Sequence, residues 1–456
     1  MAFIGYTIDT PVSSLCISQD DHDNLANNIT YGDGIMFCSY MKSTGGYQQI
    51  FVAYSTDEGE TWITEQVTTT SYDKYSSTCA VDTTGTGVHL YYSAKGYGAT
   101  ATQKSRESIV YQFRDALGAW STPIVIHQCS DISYPMWYFT QPCIAVDSTN
   151  KVHLVCSYVY NYNPYFGGQM WLVAYILLNP TLGTSSNRAY FRYGYPVSTS
   201  GSQKSHRPNI HVDSYNNPHI TFLCERPNST YAVDSQTTVW ISNWQQGALA
   251  GWPGIRAGGV NYYVCYGQIS AGSNSHILCD KYKAAPVGGP ESTTTPSWYH
   301  RASSCHAAGY FDSVNGYDYP HFVYSFNGSG GIYPAGTYYK WVDATGWHEE
   351  LIYEVIPAYA INPSIALGPD GIIHTIVPDG NTIYGYRQRA TPASAWSSKE
   401  TVSSLYYPRQ LVQVNPTQFP IEAAPCSPFI AVQYDSGYKL KYFKCVDVVT
   451  GYGYFM

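Results

Sequence analysis

The sequence predicts an all-β chain assembled from repeated four-stranded units, and three observations carry that prediction. The first is composition: 46 Tyr, 39 Gly and 26 Pro among 456 residues, with only 12% charged, suits many short strands joined by turns and leaves no amphipathic helix to place. The second is a recurring pair of strands, one apolar, then a turn with Asp or Gly, then one opening on His. It appears as "CAVDTTGTGVHLYYS", "CIAVDSTNKVHLVCSY", "NIHVDSYNNPHITFLCE", "GYFDSVNGYDYPHFVYSF" and "SIALGPDGIIHTIV", which align His89, His153, His219, His321 and His374. The third is a small residue followed by Trp at the start of another strand, at Trp62, Trp120, Trp252, Trp347 and Trp396.

The two signals mostly alternate, so each unit reads as four strands, A to D. Strands A and B flank the Asp/His turn, C follows a longer loop, and D opens on the Trp. The histidines are 64 (His89 to His153), 66 (His153 to His219) and 53 (His321 to His374) residues apart. Those periods exceed the roughly 40 to 50 residues of common propeller blades, which leaves room for loops. A lone four-stranded sheet cannot bury both faces, so the units must stack, and radial stacking closes them into a ring. The expected architecture is a seven-bladed β-propeller of four-stranded antiparallel blades, a single domain over residues 1–456.

Taken in order, the blades fall near 16–67, 68–126, 127–198, 199–257, 302–355, 356–404 and from 405 onward. The last supplies only about three strands, and N-terminal "FIGYTI", Phe3 to Ile8, is expected to add its missing outer strand and close the ring. Residues 258–301 hold "VNYYVCYGQIS" and "SNSHILCDKYK", which look like strands A and B, followed by the loop-like "APVGGPESTTTPS". That segment is an insertion or a degenerate extra blade, and in the second case the blades number eight.

The first unit carries the most specific motif in the chain. "YSTDEGETW", Tyr54 to Trp62, fits Ser-x-Asp-x-Gly-x-Thr-Trp through Ser55, Asp57, Gly59, Thr61 and Trp62. Asp and Gly suit a tight turn, and Trp packs between sheets. Together with the repeats, these residues resemble the Asp-box (BNR-repeat) propellers, the superfamily that includes sialidases and several seven-bladed polysaccharide lyases. The resemblance spans most of the chain at repeat level, with one complete box. It implies that the box lies in the C–D hairpin, on the rim and away from the substrate face, so the motif marks a fold rather than a function. A sialidase also needs an arginine triad whose first member lies in the first blade, together with an acid/base Asp and a Tyr/Glu pair. Arg106 is the first arginine here, which argues against a classical sialidase.

A net charge of -8 removes the Lys/Arg excess that non-specific nucleic-acid binding requires. The N-terminus lacks a basic n-region, and no run of 18 apolar residues occurs, so neither Sec export nor membrane insertion is expected. The sequons at Asn28, Asn228 and Asn327 are accidental on that expectation. The 12 Cys include Cys38, Cys156, Cys224 and Cys279 inside strand-like runs, where they read as buried free thiols. With no CxxC pair of zinc-site spacing, and with "DDHD" (Asp20 to Asp23) read as a solvated loop, no metal and no cofactor is expected.

If strands run A to D outward from the axis, A–B and C–D turns share one face while D–A and B–C loops share the other. The second face is where Arg, His and aromatic residues gather. Its D–A segments hold His206 and Arg207; Trp298, Tyr299, His300 and Arg301; Tyr407 and Arg409; Tyr134, Trp137 and Tyr138, with Gln141. Its B–C loops add Tyr160, Tyr162, Tyr165 and Tyr333. Aromatic faces stack on sugar rings, and phenol hydroxyls add direction. The reading is a glycan-recognising propeller displayed on a virion or other non-Sec-exported surface assembly, in contact with other virion proteins, with a cytoplasmic location as the alternative. A competing class is a polysaccharide lyase or glycosidase on an acidic polysaccharide, using His206, Arg207, Tyr299, His300 and Arg301. Arg would neutralise a uronate while His or Tyr moves protons. A third is a structural virion or scaffold protein, in which His206 and Arg207 pin strand ends and Tyr fills gaps between blades. The five repeated histidines read as scaffold hydrogen bonds, because one position repeated in five blades cannot form one shared site.

Overall fold

A computed structural model of the chain describes residues 2–13, 16–17, 28–95, 107–128, 138–161, 169–180, 184–191, 204–212, 218–226, 264–270, 275–280, 302–312, 317–326, 336–343, 346–353, 363–367, 372–379, 383–402, 411–413, 429–434 and 437–446. Among the described residues every regular element is a β-strand, as the Tyr- and Thr-rich composition requires. Strand β1 (Ala2–Asp9) opens the chain and finds its partner at the other end. The first consecutive sheet is β2 (Ile29–Gly32), β3 (Ile35–Thr44), β4 (Tyr47–Ser55) and β5 (Ile63–Gln66), hydrogen-bonded in that order. β6 (Lys74–Val81), β7 (Val88–Lys95), β8 (Glu107–Arg114) and β9 (Ile124–Gln128) repeat it.

The next eight strands form one sheet. β10 (Tyr138–Val146), β11 (Val152–Asn161), β12 (Gln169–Asn179) and β13 (Thr184–Phe191) again pair in chain order. β14 (Lys204–Val212) joins β12 through a parallel bridge at Trp171↔Lys204 and pairs antiparallel with β15 (Pro218–Arg226). β16 (Val264–Ser270) then runs parallel to β15 and antiparallel to β17 (Ser275–Asp280). The strands of segment 258–301 therefore extend the fourth unit. Trp252, between β15 and β16 in the chain, lies outside the described residues. Two further four-stranded sheets follow, β18 (Ala302–Asp312) to β19 (Tyr317–Phe326), β20 (Gly336–Asp343) and β21 (Gly346–Tyr353), then β22 (Ser364–Leu367), β23 (Ile373–Asp379), β24 (Ile383–Arg389) and β25 (Glu400–Val402). β26 (Leu411–Gln413), β27 (Phe429–Tyr434) and β28 (Tyr438–Val446) end the chain, and β1 completes their sheet, antiparallel to β28 from Ala2↔Val446 to Asp9↔Leu440. "FIGYTI" is thus the outer strand of the last sheet.

Apolar clusters lie between sheets rather than within them. One joins Phe37, Ile50 and Val52 to Cys79, Val81 and Leu90; another joins Tyr91 and Ile109 to Ile144, Leu154 and Ile176. Ile8, Ile430 and Tyr442 of the last sheet share a cluster with Ile29, Cys38 and Tyr40 of the first. Cys16, Cys38, Cys79, Cys143 and Cys156 are buried free thiols, and burial pushes the Cys79 thiol up to about 12, so they pack as small apolar groups.

The repeated histidines form a repeated bond. Nδ1 of His89, His153 and His374 lies 2.9, 2.8 and 2.6 Å from the hydroxyls of Tyr111, Tyr175 and Tyr386 on the next strand. At His89 the other nitrogen faces the Asn150 carbonyl oxygen at 3.3 Å. Nε2 therefore carries the proton and Nδ1 accepts from tyrosine. At His153, Nε2 faces Asp147 Oδ2 at 3.2 Å. Burial opposes ionisation of Asp147, but hydrogen bonds from His153, Lys151 N and Thr149 prevail and hold its carboxyl at about 2.

At two junctions among the described residues, tryptophan and arginine tie a sheet to the one before it. Arg114, ending β8, donates from Nε and Nη2 to the two oxygens of Glu65 on β5, both at 3.0 Å, and Trp120 Nε1 donates to Glu65 Oε2 at 3.1 Å. The guanidinium lies 4.8 Å from the centroid of Tyr54 on β4. The set recurs where Arg389 and Trp396 both donate to Glu350 on β21, with the guanidinium 5.1 Å from the Tyr339 ring. In the Tyr54–Trp62 turn, Asp57 accepts from Thr61 N at 2.9 Å and from Thr61 Oγ1 at 2.5 Å. These bonds and one with Ser55 hold the Asp57 carboxyl down at about 2. Gly59 has φ +88°, and a Cβ there would fall 2.2 Å from the Tyr442 ring. Trp62 packs edge-on against Tyr442 at 5.6 Å, and Lys444 pairs with Glu58 at 2.7 Å. The motif thus docks the first sheet onto the last.

Two stability measurements check this account. Glu65→Ala leaves Arg114 and Trp120 without their acceptor, so urea denaturation should show a loss of about 2 to 3 kcal/mol. His89 is pushed down from 6.5 to about 4, chiefly by burial. Between those values the unfolded chain binds a proton that the folded chain refuses, so this contribution is complete above pH 6.5 and is lost as pH falls toward 4. Denaturation from pH 7 to 4 should therefore show a shallower loss, by roughly 3 kcal/mol, in His89→Gln than in the wild type.

Candidate functional site

The two ends of the inner strands differ. At the A–B end they crowd together: a Cβ on Gly32 would lie 2.6 Å from Gly85 Cα in the neighbouring turn, and Thr83 N donates to Asn150 Oδ1 of the turn beyond at 3.2 Å. At the other end four consecutive inner strands are interrupted. β6 has Ser76 and Ser77 opposite the single residue Tyr92, and β10 has Gln141 and Pro142 opposite Cys156. β14 has Arg207 and Pro208 opposite Phe222, and β18 has Ser303 and Ser304 opposite Ser325. Each is a two-against-one bulge, which bends an edge strand and re-aims its residues. In the first three the opposing residue lies three positions after the repeated histidine, and in the fourth it lies four after.

In the first sheet β3 meets two separate stretches of chain at a comparable point: Ser39 N donates to Asn28 O and Met41 N to Cys16 O. Asn28 is fully buried. Its Nδ2 donates to Ser77 O at 2.7 Å, Ser39 O at 3.2 Å and Ile17 O at 3.3 Å. One amide thus ties Ile17 and Ser39 to the β6 bulge. Among the described residues, buried Asn28 Oδ1 and Ser77 Oγ have no hydrogen-bond partner.

A strap of residues 68–73 leads into β6. Gln49 Nε2 donates to Thr70 O at 2.8 Å and Tyr72 O at 3.1 Å, and Gln48 N to Asp73 Oδ1 at 3.0 Å. Lys74 follows, 1% exposed, donating to Thr70 Oγ1 at 2.6 Å and Tyr72 O at 3.0 Å. Burial lowers its ammonium to about 8, with Asp73 acting in the opposite direction. Nearby, Asp9 accepts from Tyr40 Oη at 2.7 Å and Lys42 Nζ at 2.8 Å, linking the end of β1 to β3. Among the described residues no group of His, Cys, Asp and Glu is placed to hold a metal ion.

Of the residues expected to form the site, Arg207 is a bulge residue of β14, and His206 is the paired residue beside it, opposite Leu223. Tyr138 opens β10 opposite Val159, and Tyr160 lies on β11 opposite Met170, at the same end of that sheet. Tyr134, Trp137, Tyr162, Tyr165, Trp298, Tyr299, His300, Arg301, Tyr333, Tyr407 and Arg409 lie outside the described residues. Sequence reasoning missed Asn28, Lys74 and the bulges themselves. Pro142 and Pro208 were the available signal for two of the bulges, because proline cannot donate to a ladder.

The class these sheets define is an all-β propeller. No protein-family model matches the chain, and no curated protein matches it in sequence. Solved structures do match. The polysaccharide lyase Uly1 is 9% identical, with a TM-score of 0.52 over 97% of this chain and 98% of that one. A Penicillium chrysogenum α-L-arabinanase is 10% identical, with a TM-score of 0.44 over 97% and 98%. Trypanosoma rangeli sialidase is 9% identical, with a TM-score of 0.40, and this chain spans about half of its length, 54%. The likeness to the lyase supports a sialidase-like propeller fold.

Asn28→Ala removes the donor that three buried carbonyls share. Chemical denaturation should show a loss of about 3 kcal/mol, and Asn28→Asp should not restore it, because a carboxylate cannot donate.

Proposed function

We propose that this chain is a glycan-recognising propeller of seven blades whose D–A and B–C face receives an acidic polysaccharide. Dividing the eight-stranded sheet at the single-residue bridge between β12 and β14, Trp171↔Lys204, gives seven four-stranded units with β1 closing the last. The observation that carries the site is the bulge repeated at the same end of four consecutive inner strands. Repeated bulges re-aim strand residues at one end of the inner strands while glycine-tight turns crowd the other, and ligand sites favour places where such residues converge. Arg207 is in the β14 bulge with His206 beside it, and Arg suits the acidic group of a uronate or sulfated sugar.

An enzymatic version of this reading, a polysaccharide lyase or glycosidase, is favoured by the lyase Uly1, which aligns over nearly the whole of both chains. In that version Arg207 and Arg301 neutralise the acidic group, while His206, Tyr299 and His300 remove and deliver protons.

Incubation with a panel of acidic polysaccharides, read by the absorbance of unsaturated uronates and by new reducing ends, separates the two. Turnover that drops about 100-fold or more in His206→Ala or Arg207→Ala establishes the enzyme. Glycan-array binding without turnover establishes the lectin, and an absence of both in the wild-type chain overturns the proposal.

A further inference from the structure

The start of β6 holds features that the fold by itself does not call for. Lys74 is 1% exposed, yet the two acceptors that meet its ammonium, Thr70 Oγ1 and Tyr72 O, are neutral. Among the described residues no carboxylate pairs with it. Asp73 is turned elsewhere, accepting from Gln48 N at 3.0 Å and Tyr75 Oη at 3.2 Å. The strap above is fixed by Gln49, so the lysine cannot swing out to water without breaking it. Two residues further on, Ser76 sits in the bulge at φ +42°, a conformation that disfavours a side chain. A buried cation held by neutral groups and a strained bulge residue both oppose folding, and such costs persist where they serve a ligand.

We propose that Lys74 is a fixed positive charge that makes the inner-strand mouth selective for acidic over neutral sugars. The carboxylate or sulfate of a bound glycan supplies the counter-charge that the protein leaves out. This rests on the glycan reading given above and adds the residue that decides its charge preference. Lys74 acts through space, because the strap covers it, and its field is strong there because the surroundings are dry. A lysine kept only to pin the strap would behave differently, since its removal would loosen Thr70 and Tyr72 without changing the preference for charge.

The test compares the full-length wild type with Lys74→Met, which keeps the apolar stem and removes the charge. Calorimetric titrations use a galacturonate octamer, a sulfated galactan oligosaccharide and a neutral galactan oligosaccharide of the same length. The expected result is an unfolding midpoint equal to or above that of the wild type, since a buried unpaired charge is gone. Affinity for the acidic oligosaccharide should fall roughly tenfold, its salt dependence should flatten, and neutral binding should not change. Whichever acidic probe suffers the loss identifies the anion as carboxylate or sulfate. Lys74→Gln, which retains a donor for Tyr72 O, serves the same comparison if the methionine variant fails to fold. Unchanged acidic binding, an equal loss for the neutral probe, or a wild-type preference for neutral glycans overturns this inference alone. A wild-type chain that binds no glycan overturns the glycan reading and this inference with it.

Discussion

The first, second and last two sheets each have apolar clusters on both faces, and the rest of the scaffold follows from the need to cover both. A single sheet of four strands leaves both faces wet; a neighbour on each side leaves none. Sheet-to-sheet contact is therefore the main stabilising interaction, and the sequence devotes its specific chemistry to it. Arg114 and Trp120 grip Glu65, Arg389 and Trp396 grip Glu350, and Lys444 and Tyr442 receive the turn that contains Gly59. These contacts are charge-assisted or aromatic, which gives direction to an otherwise non-directional apolar interface.

The same demand shapes the two ends of the inner strands differently. Strands that fan out from an axis crowd at their inner edge. At the A–B end the crowding is met by glycine, with Gly32 against Gly85. At the other end the inner strands step out of register, and Asn28 holds the step in place between the first two sheets. The regular turns lie at one end of the inner strands, and the bulges, with Arg207 in that of β14 and Lys74 at the start of β6, lie at the other.

Much of the scaffold was legible in the sequence because it repeats. The Asp/His and Trp signals located the strand pairs, and the bond from His89, His153 and His374 to a tyrosine on the next strand is the scaffold role expected of a residue found once per unit. The outer strand at Phe3 to Ile8 was legible because the last unit was one strand short. What escaped was whatever depends on partners distant in the chain. Glu65 meets Arg114 only after the sheets stack, and neither residue has a local signature. The bulges hide because "KYSSTCAV" and "KSHRPNIHV" read as plain strands until their partners fix the register. Lys74 hides because nothing in its neighbours announces that Gln49, from another sheet, will bury it. The fourth unit departs from the repeat because β16 arrives from beyond residue 258 and runs parallel to β15.

The pairing of β1 with β28 bears on how the chain comes to be folded. Sheets made of consecutive strands can assemble as they leave the ribosome, since their contacts are local. The last sheet cannot, because Ala2 must meet Val446, which makes it the contact of highest order in the molecule and the slowest to close. Until then β1 is a strand without a sheet, and the first and last units each expose an apolar face. The interval between synthesis of Ala2 and of Val446 is the one in which those faces stay uncovered, the condition under which partly folded chains associate.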